Sequence, residues 1–192
     1  MINKTTLRCG LTVASTRVNH LKTATIGVWL DCGSSRDPEK LPGLAHFAEH
    51  MCFRGSAAWP TSTSLEEAVE ARGAQLHAFT SRDHVCFYAR CLGKDSGWML
   101  GNVLADVTMR PLMAKQTVEA ERDTVLREME EVSSIPYEVV MDNLHEAAYG
   151  ERSPMGRTIL GPKQAIMSIQ SEDLLKHIKD TRLPKRMAIV AV

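Results

Sequence analysis

The sequence predicts an α+β domain built on a largely antiparallel mixed sheet with helices packed on one face. Strand-like runs gather in the first ninety residues and return at the end of the chain, while stretches of 3.6-residue periodicity fill the interval between. The strands are separated by hairpin-length turns and do not alternate regularly with helices, which argues against a doubly wound parallel sheet. The composition, 44% apolar and 24% charged over 192 residues, belongs to an ordinary globular protein and excludes disordered and collagen-like chains.

Leu7, Leu11 and Val13 alternate with polar residues around Cys9-Gly10, so the chain opens with a hairpin. This segment has Lys4, Arg8, Arg17 and Lys22 and no acid before Asp31, a bias it shares with transit peptides, but the alternation favours strands. The β-rich run Thr23 to Leu30 is a strand, closed by a polar loop from Asp31 to Pro42-Gly43. It is also far shorter than the ~20 apolar residues of a membrane-spanning helix. A helix is expected over Leu44 to Cys52. A second, capped at Thr63-Ser64 with Glu66 and Glu67 in its first turn, ends at Arg72-Gly73. Strands Gln75 to Phe79 and Val85 to Cys91 follow, joined through Ser81-Arg82-Asp83. Helices are expected over Ser96 to Met109, Lys115 to Val132 and Tyr137 to Ala148, broken by Pro111 and Pro136. A Gly- and Pro-rich loop runs from Gly150 to Pro162, a last helix starts near the cap Ser171, and Met187 to Val192 is an apolar strand. That strand has no polar tail after it, so a longer natural polypeptide is expected. No linker or low-complexity tract divides residues 1–192, which read as one domain.

The 23 basic and 23 acidic residues cancel, so no whole-chain field favours nucleic acid, and no nucleic-acid partner is expected. The charges are segregated, however: Glu119 to Glu151 carries a net charge of −8. Such a run is either a solvated helix face or a surface that attracts a cationic ligand. Five cysteines, odd in number and without a C-x-x-C pair, speak against a disulfide framework and for a reducing compartment.

The strongest chemical signal is His46-Phe47-Ala48-Glu49-His50. On a helix, residues four apart lie roughly 40° from each other, so both imidazoles can reach one cation with Glu49 beside them. A Cys52 thiolate would turn such a pair into a closed structural site, whereas catalytic zinc keeps three protein ligands and an open position. The helix from Lys115 to Val132 can supply the third. Val118, Glu121, Val125, Glu128, Met129 and Val132 share an arc of roughly 100°, so two carboxylates interrupt an apolar stripe. A carboxylate facing a core is costly unless paired or metal-bound. Spacing alone does not choose between Glu121 and Glu128.

His46 to His50 has the H-x-x-E-H order of the inverzincins. Its surroundings resemble the pitrilysin-insulysin family, specifically its processing-peptidase β-subunits and the related first core protein of the cytochrome bc complex. Six stretches carry the resemblance: Thr25 to Leu30 with Gly33, Ser34 and Arg36; Gly43 to Gly55; Gly73 to Arg82; Glu121 to Glu128; Asp142 to His145; and Gly156 to Pro162. They span nearly the whole chain in the family's order.

The resemblance implies that His46, His50 and Glu128 bind Zn2+, that Glu49 is the general base, and that Glu121 orients the site. It further implies that Glu138 and Asp142 read a substrate arginine, and that Phe53 lines the pocket for the residue after the scissile bond. Gln75 to Thr80, including His77 and Ala78, would pair with the substrate as an edge strand. His77 stands where the family usually has Asn. The implied activity is removal of cationic presequences from imported precursors, in the mitochondrial matrix or on the matrix face of the inner membrane. The implied partner is an α-type subunit bearing a glycine-rich loop. The alternative is a structural core subunit of the respiratory cytochrome bc complex, with a bifunctional protein between the two. Family members carry two homologous halves, of which residues 1–192 correspond to the N-terminal, zinc-binding one.

Overall fold

A computed structural model describes all residues 1–192. Strands β1 (Ile2–Thr6) and β2 (Thr12–Thr16) form the opening hairpin, and β3 (Thr23–Leu30) follows. Helices α1 (Leu44–Cys52) and α2 (Ser62–Glu70) precede the hairpin of β4 (Gln75–Thr80) and β5 (Val85–Leu92). A continuous helical stretch begins as α3 (Ser96–Trp98), takes a π-helical register over Met99–Leu104 and ends as α4 (Ala105–Met109). Then come α5 (Lys115–Ser133), α6 (Pro136–Tyr149), α7 (Lys163–Ser168), α8 (Ser171–Thr181) and β6 (Met187–Ala191).

The six strands make one mixed sheet in the order β1-β2-β6-β3-β5-β4, in which only β2 and β6 run parallel. Alternation decides its two faces. Ile26, Val28 and Leu30 of β3 and Val85, Phe87 and Ala89 of β5 are buried, and they join one core with α1, α5 and α8. On the opposite face Trp29, Phe79 and Tyr88 pack edge to face across the strands. The α+β architecture with helices gathered on one side therefore matches the expectation.

Several boundaries differ from the sequence reading. Thr61, not Thr63-Ser64, caps α2: its hydroxyl accepts from Ser64 N at 3.1 Å in a reciprocal capping box. Pro136 begins α6 and so does not simply break a helix, because at the first helical position its missing N–H has no intrahelical partner to lose. The short helix α7 was not anticipated, and Gln170 caps α8 with Ser171 already inside it. A buried guanidinium explains how α7 is held. Arg122, 3% exposed, donates from α5 to the carbonyls of Ile166 and, at 2.9 Å, Ile169, while Glu119 pairs with it at 2.9 Å.

Candidate metal and catalytic centre

Helix α1 is fixed before its histidines are used. Gly43, at its start, has φ +92°, and a Cβ there would overlap the carbonyl of Leu160; a Cβ on Gly161, φ +71°, would overlap that of Pro42. Only glycine tolerates both the positive φ and the contact, so the 156–161 loop lies directly against the helix N-terminus. The Asp37 carboxylate accepts from Gly43 N at 2.8 Å and Ala45 N at 2.9 Å. These bonds satisfy donors that the first turn leaves free. Burial nevertheless outweighs them and pushes Asp37 up to about 7.

From this helix His46, 7% exposed, and His50 project with ring centroids 4.6 Å apart. Across from them α5 presents both carboxylates of the apolar stripe, and the tertiary structure separates their positions. Glu128 reaches both Nε2 atoms, at 3.5 Å from His46 and 3.0 Å from His50. Glu121 lies behind, accepting from His50 Nδ1 at 2.9 Å. One ligand atom from each of His46, His50 and Glu128 fits within 4.8 Å of the others. Cys52, fully buried and close to Arg182, is not part of this group. Two imidazoles and a carboxylate are a donor set suited to Zn2+. The buried Nδ1 of His46 has no hydrogen-bond partner, so that ring's polar contacts lie entirely on its Nε2 side, toward Glu128.

The electrostatics follow from this crowding. Burial opposes a charge on His50, but hydrogen bonds to Glu121 and Glu128 outweigh it and raise the imidazole to about 9. Hydrogen bonds from His46 and His50 hold the Glu128 carboxyl well below the usual carboxylate range. Burial of Glu121 is outweighed by His50 and Arg54, which lower it. Glu49 moves the other way: burial raises it, although Thr80 donates a hydroxyl hydrogen bond to Oε2.

Two clefts meet at this cluster. One, about 260 Å³, is bounded by His46, Glu49, Thr80, Glu128, Glu138 and Asp142, with Thr158 to Leu160 closing it. The other, about 600 Å³, runs past Glu49, His50, Phe53 and Arg54 to the β4 residues Gln75 to Ala78. Glu138 and Asp142 thus line the same cleft as His46 and Glu128, but Asp142 is already paired with the buried Arg82 at 2.7 Å. Phe53 both borders the larger cleft and packs on Phe87, ring centroids 5.6 Å apart. His77 points outward from β4 and stacks on Tyr88, while Ala78 is half-buried at the junction of the clefts. β4 pairs only with β5, so its other edge is free.

Sequence reasoning gave Thr80 a place only at the end of the substrate-pairing strand and assigned no individual role to Arg54, Arg82 or the Thr158 to Leu160 segment. The first three stand in motif stretches, yet their partners are 31, 67 and 60 residues away. No periodicity reports pairings of that kind.

Comparison with known proteins gives a consistent picture. The family model described as Insulinase (Peptidase family M16) matches residues 12–163. A mitochondrial-processing peptidase subunit beta from Lentinula edodes is 42% identical over 185 residues, which is 96% of this chain and 39% of that protein. A probable mitochondrial-processing peptidase subunit beta from Arabidopsis thaliana is 44% identical over 187 residues, 97% of this chain and 35% of its own length. The chain therefore spans well under half the length of these relatives. Among solved structures, a protease from Helicobacter pylori superposes with TM-score 0.90 at 20% identity over 100% of this chain and 46% of that one. A peptidase M16 inactive domain from Pseudomonas fluorescens gives TM-score 0.88 at 19% identity, again over 100% of this chain and 46% of the other. At that identity the two structures speak for the fold alone.

Proposed function

The chain belongs to the insulinase family of peptidases, family M16, and on that premise we propose that residues 1–192 are the zinc-bearing N-terminal domain of a processing endopeptidase that removes cationic presequences from mitochondrial precursors. The observation that carries this reading is the convergence of His46, His50 and Glu128 from two helices, with Glu49 on the same turn facing the same cleft. Zn2+ held by these three side chains would supply Lewis acidity toward a water and a peptide carbonyl.

The chain's own groups account for the remaining chemistry. Glu49, raised by burial, is better matched to accepting a proton from water near neutral pH than an exposed carboxylate is. Thr80 fixes one of its oxygens, leaving the other to take the proton and pass it to the leaving amine. The free edge of β4 offers backbone donors and acceptors to an extended peptide, and the cleft past Phe53 offers an apolar wall beyond it. Glu138, exposed in the cleft that holds His46 and Glu128, is the carboxylate open to a substrate guanidinium; Asp142 shares that cleft with one oxygen occupied by Arg82. The net charge of −8 between Glu119 and Glu151 suits a cationic substrate. A mitochondrial location and an α-type partner subunit belong to the same proposal, by analogy with the named relatives.

The test is Glu49→Gln. This variant is expected to retain one zinc per chain and to lose processing of a presequence-bearing precursor when assembled with an α-type subunit. Processing at the unaltered rate would reject Glu49 as the base, and an unaltered chain that binds no stoichiometric zinc would favour a scaffolding role of the respiratory core kind.

A further inference from the structure

Behind the metal-facing side of the cluster stands a group that the mechanism does not use. Arg54, just past the end of α1, reaches Glu121 with two donors: Nε to Oε2 at 2.6 Å and Nη2 to Oε1 at 3.0 Å. The same Oε1 accepts from His50 Nδ1 at 2.9 Å. Glu121 is 5% exposed, so nearly all its compensation comes from these two partners.

We propose that Arg54 is a positioning residue for the metal centre: its two-point grip on Glu121 aims that carboxylate at His50 Nδ1 and so presents His50 Nε2 toward the cation. The inference rests on the zinc reading above. The geometry carries it in three steps. A carboxylate hydrogen-bonded at one oxygen alone can rotate about its final torsion, whereas two parallel N–H groups bonded to its two oxygens remove that freedom. A carboxylate held at Nδ1 requires the proton on that nitrogen, which leaves the Nε2 lone pair of a neutral imidazole available to a metal. His50 Nε2 is the atom that meets Glu128, at 3.0 Å, so the orientation set behind the ring is expressed at the ligand cluster. A lysine would keep the charge but offers a single point of attachment in place of a planar fork. The acids Glu66 and Glu70 line the same larger cleft as Arg54, and its ion pair is with Glu121 and with neither of them.

The experiment measures zinc affinity by chelator competition on the full chain, with metal-free thermal unfolding followed in parallel. Arg54→Met is expected to weaken zinc binding roughly ten- to a hundredfold, the usual effect of losing a group that orients a ligand, and Arg54→Lys to recover only part of that loss. In a Glu121→Gln background Arg54→Met should add little, because the carboxylate it positions is gone. Full additivity of the two substitutions, or unaltered affinity in Arg54→Met, would overturn the proposal. So would Arg54→Lys binding zinc as tightly as the unaltered chain, since charge alone would then suffice. Should Arg54→Met fail to fold, Arg54→Lys alone and in the Glu121→Gln background decides the question. An unaltered chain without stoichiometric zinc is a distinct result, which removes the metal reading and this inference with it.

Discussion

Glu121 and Glu128 stand one heptad apart on the same face of α5, and their chemistry differs because each meets a different nitrogen of His50. Glu128 meets the two Nε2 atoms, while Glu121 is held behind His50 by Nδ1 and Arg54. Glu128→Gln should therefore lower zinc occupancy far more than Glu121→Gln does, measured by metal content after dialysis; equal losses or the reverse order would exchange their roles. A second residue matters for stability and not for chemistry. His177 on α8 is buried, its Nε2 has no partner, and burial followed by the charges of Arg182 and Arg186 depresses it to about 3. Its folded pKa lies below the unfolded value near 6.5, so the unfolded chain takes up a proton that the native chain refuses. The His177 contribution is thus complete above about pH 6.5 and is lost as pH drops toward 3. Between pH 7 and pH 5 the unaltered chain should lose about 2 kcal/mol more than His177→Leu, read from urea unfolding at each pH. Parallel curves for the two proteins would show that His177 is not the source.

At the level of elements, the entry of α1 is the most constrained point. Gly43 combines positive φ with a close approach to the 156–161 loop, whereas Gly73, at the end of the α2 segment, has φ +61° and open space around it. The pair separates two effects. Gly73→Ala should cost about 1–2 kcal/mol, the strain of a left-handed conformation with a Cβ. Gly43→Ala adds an overlap with backbone that no side chain can relieve by rotating, so its cost should exceed that of Gly73→Ala. It should also lower zinc affinity, because α1 carries both histidines. Thermal unfolding and metal titration of the two variants check this, and equal costs with unaltered metal affinity would refute it.

Across the whole molecule, β6 is the seam. It is the final strand in sequence but lies third in the sheet, parallel to β2 and antiparallel to β3, so the opening hairpin joins the rest of the sheet through it. A proline there removes a ladder donor in a central strand. Ile189→Pro, at a residue whose N–H faces β2 and not β3, should therefore expose the amides of residues 2–16 to hydrogen exchange before those of β3, β5 and β4 lose protection. Uniform loss of protection across all six strands would mean that the sheet opens as one unit. The M16 inactive domain from Pseudomonas fluorescens shares this architecture, so the fold by itself does not confer the chemistry; that depends on which side chains it carries.

Local periodicity made much of this protein legible in its sequence. The i, i+4 spacing of His46 and His50 and the apolar stripe of α5 with its two acids are set by neighbours within one or two turns, and each appears in the structure on one helix face. The type and order of most elements followed for the same reason. Caps and short helices were less legible: the cap of α2 lies two residues earlier than expected, and α7 is held by an arginine 44 residues away in sequence. What only the tertiary structure decided is which nitrogen of His50 meets which carboxylate, that Arg54 grips Glu121, that Thr80 holds Glu49, and that Arg82 already occupies Asp142. These pairings join residues far apart in the chain, and their geometry depends on how α1, α5, α6 and the β4–β5 hairpin pack, a relation that no spacing within a single element encodes.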